Sequence, residues 1–373
     1  MRWAFWGAVA LIAYTYAGYP VWLWFRSRWR PWPVRRSAVD PLVSVVMVVR
    51  NEEKVLEKKL ENLLALDYPA ERLQIVVVSD GSTDGSEQIL HEYARYARVE
   101  VLLSQLPKGK ASGLNDAVDL AAGEIVVFTD ARQQIEPGAL RELLSDFADP
   151  DVGCVSGELM LGDPATGEKG HGMGLYWRIE KKVRELESAA GSVVGATGAI
   201  YGIRRELWQP IPPETLLDDV LIPMQVVRSN RRVIFEPEAR AWDTPHQSRS
   251  REFSRKVRTL SGNYQLLQLA PWLMSDQNPI RFEFISHKLM RLVVPLALVI
   301  CLIASALVGE PFYRVALVVQ LAFYGLSLMG MAGMKLGPLA RAADAAFTFV
   351  VLNTAALVAF GNFVAGRKTV WTR

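Results

Sequence analysis

Two unbroken apolar runs in this chain end in aspartate: Ile75-Val76-Val77-Val78-Ser79-Asp80 and Ile125-Val126-Val127-Phe128-Thr129-Asp130. A strand with one wet face alternates apolar and polar residues, so β-branched runs without alternation predict strands buried on both faces. Sheets of that kind are wound from parallel strands with helices on either side, and ligands collect at the carboxyl ends of the strands. Asp80 and Asp130 are therefore expected to converge on one polar ligand. A third acidic station, Asp218-Asp219, is placed to supply a separate carboxylate for chemistry.

The surrounding pattern extends this reading. A first strand is predicted at Val43 to Val49, ending at Arg50-Asn51-Glu52-Glu53. A helix follows from about Val55 to Leu66, with Val55, Leu56, Leu60, Leu63 and Leu64 on its apolar face, and Asp67-Tyr68-Pro69 stops it. Beyond Asp80, the polar stretch Gly81-Ser82-Thr83-Asp84-Gly85-Ser86 opens another helix, whose first amides it can cap. A strand at Val99 to Leu103, the element Lys108-Gly109-Lys110 and a helix from Ala111 to Ala122 lead to the run that ends at Asp130. This alternation predicts an α/β fold with a mostly parallel, Rossmann-like sheet and flanking helices. Past residue 150 the pattern loosens to a glycine-rich stretch, Gly195 to Ala199, and one short strand at Arg232 to Phe235.

The two ends differ from the middle. Half of the chain is hydrophobic and 22% is charged, and the apolar excess lies in Trp3 to Phe25, Leu292 to Val308, Val315 to Met334 and the weaker Ala345 to Val364. Segments of this length can cross a bilayer. The first carries only Arg2 before its apolar run, which favours a retained anchor over a cleaved signal. Arg26, Arg28, Arg30, Arg35 and Arg36 follow it, and by the positive-inside rule they place the central domain in the cytoplasm of a multi-pass inner-membrane protein. Trp3, Trp6, Trp22, Trp24, Trp29 and Trp32 suit interface anchors. The expected division is an anchor at 1–36, a globular domain at 37–248, amphipathic interface helices at 249–290 and a membrane region at 291–373. Phe253, Val257, Leu260, Tyr264 and Leu267 form a stripe flanked by Arg251, Arg255, Lys256 and Arg258, which suits either the lipid headgroup layer or a domain helix with a solvated face. Three later spans would leave the C-terminus outside, against Arg367, Lys368 and Arg373, so Ala345 to Val364 also suits an interfacial or re-entrant helix.

Other chemistries find little support. A net charge of +3 without a basic aromatic stripe argues against nucleic acid. Cys154 and Cys301 make no disulfide framework, and His91, His171, His246 and His287 lack ligand spacing. No G-x-G-x-x-G or Walker pattern is present to wrap a phosphate. A divalent cation bridging phosphate oxygens to a carboxylate is the alternative, with Asp130 as its ligand and Asp80 for a base or ribose. Gly195 to Ala199 suits a packing loop as well as an acceptor site, and Asp218-Asp219 suits a helix N-terminus as well as a catalytic pair. Arg204-Arg205, Tyr176 and Trp177 also have both a structural and a ligand-binding reading.

The segments Val48-Val49-Arg50-Asn51-Glu52-Glu53, Val78-Ser79-Asp80-Gly81-Ser82-Thr83-Asp84-Gly85 and Phe128-Thr129-Asp130-Ala131 resemble the inverting family-2 glycosyltransferases, in the cellulose-, chitin- and hyaluronan-synthase-like branch. The resemblance runs from about residue 42 to 268. It implies a GT-A fold, a UDP-linked nucleotide-sugar donor, a carbohydrate or lipid-linked acceptor and Mg2+ or Mn2+. By the same resemblance Asn51, Glu52 and Asp80 would border the nucleotide and Lys110 would offset the diphosphate. Asp130 would bind metal and donor, and Asp219 would act as general base with Asp218 beside it. Gly198, Arg255 and Arg258 would serve acceptor or phosphate. Two positions depart from the family pattern. Asp130-Ala131-Arg132 carries a cation where a second metal carboxylate is expected. Arg255-Lys256-Val257-Arg258-Thr259 lacks the tryptophan of the processive Q-x-x-R-W element, which bears on polymerisation. A catalytically silent nucleotide-sugar-binding subunit of a polysaccharide export complex is the alternative expectation.

Overall fold

The computed structural model describes residues 1–162, 175–244, 249–334 and 337–366. His171, His246, Arg367, Lys368 and Arg373 lie outside these residues. The chain begins with helices α1 (Arg2–Ala13) and α2 (Tyr19–Trp29), joined without a break by a π-helical turn at Tyr14–Gly18. Strand β1 (Val43–Val49), helix α3 (Glu53–Leu64), strand β2 (Leu73–Asp80), helix α4 (Ser86–Tyr93) and strand β3 (Val99–Ser104) follow in alternation. Helix α5 (Lys110–Leu120), strands β4 (Ile125–Phe128) and β5 (Gln134–Ile135) and helix α6 (Ala139–Ser145) come next. Strand β6 (Val152–Leu161), helix α7 (Leu175–Ala190), strand β7 (Tyr201–Arg204), helix α8 (Asp218–Arg228) and strand β8 (Arg232–Asp243) complete the sheet domain. Helices α9 (Arg249–Leu269), α10 (Arg281–Phe284), α11 (Met290–Leu307), α12 (Pro311–Met331) and α13 (Ala340–Val364) close the chain.

The strands form one sheet in the order β3-β2-β1-β4-β7-β6-β8-β5. All seven residues of β1 are buried. Alternate residues feed two cores: Val46 and Val48 pack with Leu114 of α5 and Val220 of α8, while Val45 and Met47 pack with Leu56 of α3 and Leu140 of α6. Burying each such side chain is worth about 1.5–3 kcal/mol, which explains the unbroken apolar runs.

β1 runs parallel to β2 and β4, and β2 to β3. Parallel pairing is interrupted at β7, which runs antiparallel to both β4 and β6, and returns between β6 and β8 before β5 closes the sheet antiparallel. The chain re-enters the sheet through the glycine-rich loop beside Asp130, at the carboxyl end of β4. From there it can only run back along β4, which sets Tyr201 opposite Phe128. The sheet is therefore mixed rather than mostly parallel in its second half. β8 is also longer than the short strand expected at Arg232 to Phe235. It passes through Pro237 because its register against β6 shifts between Ser156 and Glu158, so the proline lies at a bulge where no ladder amide is needed. At that bulge a Cβ on Gly157 would lie 2.2 Å from the Ala239 carbonyl oxygen, an approach only glycine permits.

Four helices are long and apolar enough to cross a membrane: Arg2–Trp29, Arg281–Leu307, Pro311–Met331 and Gly337–Val364. The second runs unbroken across residue 290, through a π-helical turn at Ile285–Leu289. Arg2 pairs with Glu310, which sets the start of α1 beside the turn between α11 and α12. The arginines at the end of α2 and after it make ion pairs within the protein. Arg26 pairs with Glu283, and Arg36 reaches Glu142 at 2.8 Å, Asp146 at 3.1 Å and Glu236 at 2.9 Å. Of the two readings of the basic stripe, packing inside the protein carries much of α9. Leu266 is fully buried, Gly262 meets Leu217, and Tyr264 packs on Phe360 and Phe363 of α13.

Candidate active site

Each polar residue of the site sits where a strand or helix ends, because only there does the backbone leave the apolar core. Asp80 is the last residue of β2 and is 1% exposed. Its carboxylate accepts from the amides of Lys108 at 2.6 Å and Gly109 at 3.0 Å, so it staples the loop before α5 across the sheet edge. Gly109 has φ of 92°, a left-handed conformation that glycine adopts without strain, and this aims its amide at Asp80. Asn51 follows β1 with φ of 55°, its side-chain oxygen accepting from the Thr83 amide at 2.8 Å. The Glu52 amide donates to Ser86 Oγ at 3.0 Å. These bonds tie together the ends of β1 and β2 that the expected nucleotide pocket uses. Arg50, between them and β4, has a buried Nε without a hydrogen-bond partner.

The second half of the site is a charge bridge. Lys110, at the start of α5, places Nζ 3.0 Å from Asp130 Oδ1 and 3.0 Å from Asp218 Oδ2. Burial opposes its charge, but Asp130 and Asp218, with Asp219 further off, outweigh that and raise its pKa. Asp218 and Asp219 are the first two residues of α8, whose cap position is Leu217, so neither is the cap residue itself. The Ala196 amide donates to the Asp219 carbonyl at 2.7 Å, which folds the glycine-rich loop over the start of α8. A Cβ on Gly198 would lie 3.6 Å from Asp130 Oδ2 and 3.7 Å from Asp219 Oδ2. The two carboxylates therefore flank the same small gap. Burial, and then the Asp218 charge, push the Asp219 carboxyl up to about 6, with Lys110 and Lys288 pulling the other way.

Asn51, Glu52 and Asp80 thus gather at one edge, and Lys110, Asp130, Asp218, Asp219 and Gly198 meet at the other. Arg255 and Arg258 lie on α9 two turns and one turn before Gly262, which rests on Leu217 at the start of α8. Arg132 faces Asp243 at 4.0 Å, and Gln133 donates to the same carboxylate at 3.0 Å. Two residues missed in the sequence lie under the site. Lys59 is fully buried and donates to Thr129 Oγ1 at 2.8 Å and the Gln133 carbonyl at 2.6 Å, and burial lowers its pKa to about 7 against the pull of Asp130. Tyr201 stacks on Phe128, and its buried hydroxyl lacks a hydrogen-bond partner. Burial, then Asp218 and Asp219, raise that phenol's pKa well above its ordinary value. Lys59 had a signal, a lysine inside the Leu56-Leu60-Leu63 stripe. Tyr201 had none.

Among the described residues no group of three or more His, Cys, Asp and Glu is placed to hold a metal ion. A dedicated protein cage is therefore not what they offer. One carboxylate, Asp130, fits the different case in which a hard cation is shared with substrate phosphates and water.

A Rossmann-like sheet with carboxylates at its strand ends, and a further acidic helix start facing them, is the arrangement expected of a GT-A fold. The family model for glycosyl transferase family 2 matches residues 44–210 of the chain. That span contains Asn51, Asp80, Lys110, Asp130 and Gly198 and stops short of Asp218 and Asp219. The poly-beta-1,6-N-acetyl-D-glucosamine synthase of Staphylococcus epidermidis is 22% identical over 239 residues, covering 62% of this chain and 56% of that protein. The chain thus spans a little over half the length of such relatives. The beta-monoglucosyldiacylglycerol synthase of Nostoc sp. is 35% identical over 118 residues, covering 31% of this chain and 25% of the other. Among solved structures, the mannosyltransferase PcManGT of Pyrobaculum calidifontis, in complex with GDP-Man and Mn2+, superposes with a TM-score of 0.74 at 24% identity, over 96% of this chain and 98% of that one. This likeness extends the shared fold to the flanking helices.

Proposed function

We propose that this protein is a membrane-bound, inverting glycosyltransferase that moves a sugar from a nucleotide-diphosphate donor to an acceptor hydroxyl, with Asp219 as general base. The observation that carries the reading is the Asp219 carboxylate, raised to about 6 and flanking the Gly198 gap opposite Asp130. A base works best when its pKa lies near the operating pH, because it is then ionised and still able to take a proton. The acceptor hydroxyl gives its proton to Asp219 as its oxygen forms the new bond to the anomeric carbon. On the opposite face the bond to the diphosphate breaks, and the nucleoside diphosphate leaves with the electron pair. Attack from one face with departure from the other inverts the anomeric centre.

The remaining residues serve the donor. Asn51, Glu52 and Asp80 border the nucleoside, and Lys110, held between Asp130 and Asp218, offsets the charge of the diphosphate. Asp130 is the residue that would hold Mg2+ or Mn2+, and a divalent ion bound there would supply positive charge to the departing diphosphate without a proton transfer. Asp218 keeps Lys110 in place and raises the proton affinity of Asp219. The likeness to a poly-beta-1,6-N-acetyl-D-glucosamine synthase and a beta-monoglucosyldiacylglycerol synthase supports a carbohydrate or lipid-linked acceptor.

Purified protein given UDP- and GDP-linked sugars with Mg2+ or Mn2+ should release the nucleoside diphosphate of at least one donor. Chelation should suppress that release, and the product should have the opposite anomeric configuration by NMR. No release from any donor would leave the silent-subunit reading in its place.

A further inference from the structure

The segment between β7 and α8 delivers Asp218 and Asp219 to the site, yet its own backbone can do little to fix its path. It reads Trp208-Gln209-Pro210-Ile211-Pro212-Pro213-Glu214-Thr215-Leu216-Leu217, and its three prolines have no amide to give to a ladder. Within it, the Thr215 hydroxyl and amide donate to the Pro212 carbonyl at 2.7 and 3.0 Å and make a single turn. Two side-chain amides from neighbouring helices hold the rest. Asn115 of α5 accepts from the Ile211 amide at 3.0 Å and donates to the Ile211 carbonyl at 2.9 Å. Gln265 of α9 accepts from the Leu216 amide at 2.9 Å and donates to the Glu214 carbonyl at 2.7 Å.

The second of these brackets closes just before the acidic pair. Residues three apart share a helix face, so Gly262 lies on the same side of α9 as Gln265. A Cβ on Gly262 would fall 2.5 Å from Leu217 Cγ, so only a glycine lets the helix come this close to the residue that precedes Asp218. Tyr264, on another side of α9, packs on Phe360 and Phe363 of α13. That helix is long and apolar enough to cross a membrane. The path into α8 is therefore tied, through α9, to the membrane-spanning part of the chain.

We propose that Gln265 is a positioning residue for the transfer reaction: its two hydrogen bonds, with the Gly262 contact, set where the start of α8 holds Asp219 against the acceptor hydroxyl. This rests on the reading of Asp219 as general base and adds the helix that aims it. Gln265 acts through the backbone of residues 214–217. It is only half-buried, and a hydrogen bond of that kind adds modestly to stability. Alignment of reacting atoms is far more sensitive, since a displacement of about 1 Å can cost about a hundredfold in rate.

Nucleoside diphosphate release by the full chain in detergent, in Gln265→Met, Asp219→Asn and the double variant, tests this role. Gln265→Met keeps the side-chain length and removes both bonds. It should melt close to the wild type, keep its KM for the sugar nucleotide and lose about tenfold or more in kcat. Gln265→Glu keeps an acceptor for the Leu216 amide and should fall between the two. The double variant should be no slower than Asp219→Asn alone, because a base that is absent cannot be misplaced. Wild-type kcat in Gln265→Met, a loss carried by KM, failure to fold, or losses that multiply in the double variant each overturn the proposal. Asp219→Asn running at the wild-type rate overturns the base itself, so the two failures read out separately. Hydrogen–deuterium exchange gives a reading that needs no turnover. Gln265→Met should speed exchange of the amides of residues 214–221 and leave those of β1 and β2 unchanged, and wild-type exchange at 214–221 overturns the proposal.

Discussion

Lys59 lies three residues after Leu56 and one before Leu60, on the face that α3 turns to the core, and its ammonium ends on Thr129 and Gln133 beneath Asp130. Its pKa in the folded chain, about 7, is below the ordinary value of 10.5, so between these pH values the unfolded chain binds more protons than the folded one. Stability then rises with pH across that window, and the cost of burying the charge is felt in full below it. The melting temperature of the wild type should climb from pH 7 toward pH 10 by several degrees more than that of Lys59→Met. Parallel slopes would show that the amine carries no such penalty. Asp80 and Asp130 were legible in the sequence because each ends an apolar strand run, whereas Asp219 was picked out by resemblance to the family's acidic pair. Lys59 carried a signal, its place inside the Leu56-Leu60-Leu63 stripe, but a lysine in an amphipathic helix ordinarily points to water, so the signal is easily passed over.

At the scale of elements, β1, β2 and β4 were readable because strands buried on both faces leave no polar alternation. The antiparallel return through β7 and the long bulged β8 were not. They depend on the loop at Gly195 to Ala199, on Gly157 and on Pro237, residues that in a sequence read as loop punctuation. The glycine loop also sets the width of the site. A methyl group on Gly198 would sit in ordinary contact with the Asp130 and Asp219 oxygens, at 3.6 and 3.7 Å, so the fold should accept Gly198→Ala. The same methyl narrows the gap where the reacting atoms must align, and a small misplacement there is costly. Gly198→Ala should melt close to the wild type and lose about tenfold or more in nucleotide release. Full activity in this variant would mean that the gap is not where reaction occurs.

For the whole molecule, the apolar ends were evident from composition, whereas their attachment to the catalytic domain was not. Arginines expected to mark the cytoplasmic side also make ion pairs, Arg26 with Glu283 of α10 and Arg36 with Glu142, Asp146 and Glu236 of the sheet domain. Glu187, which is 1% exposed, joins three parts of the chain: the Tyr19 hydroxyl of the anchor, His287 of the α10–α11 rod and, at 3.4 Å, the Val194 amide before β7. These contacts lie far apart in sequence, so no local pattern announces them. Glu187→Ala would leave buried polar groups unpaired, and it should cost about 3 kcal/mol of stability, read as earlier unfolding in detergent and easier proteolysis between residues 29 and 43. Unchanged protease resistance would show that the anchor is held elsewhere.

The pH dependence of nucleoside diphosphate release, compared between wild type and Asp219→Asn, tests the central claim most directly. Because burial and Asp218 raise the Asp219 carboxyl to about 6, the base is protonated and idle below that pH and ionised above it. The wild-type rate should rise through about pH 6 to a plateau. Asp219→Asn should lose that rise and run about a hundred- to ten-thousandfold slower, the range for a missing general base. An Asp219→Asn enzyme with the wild-type rate and the same pH profile would contradict the assignment of the base.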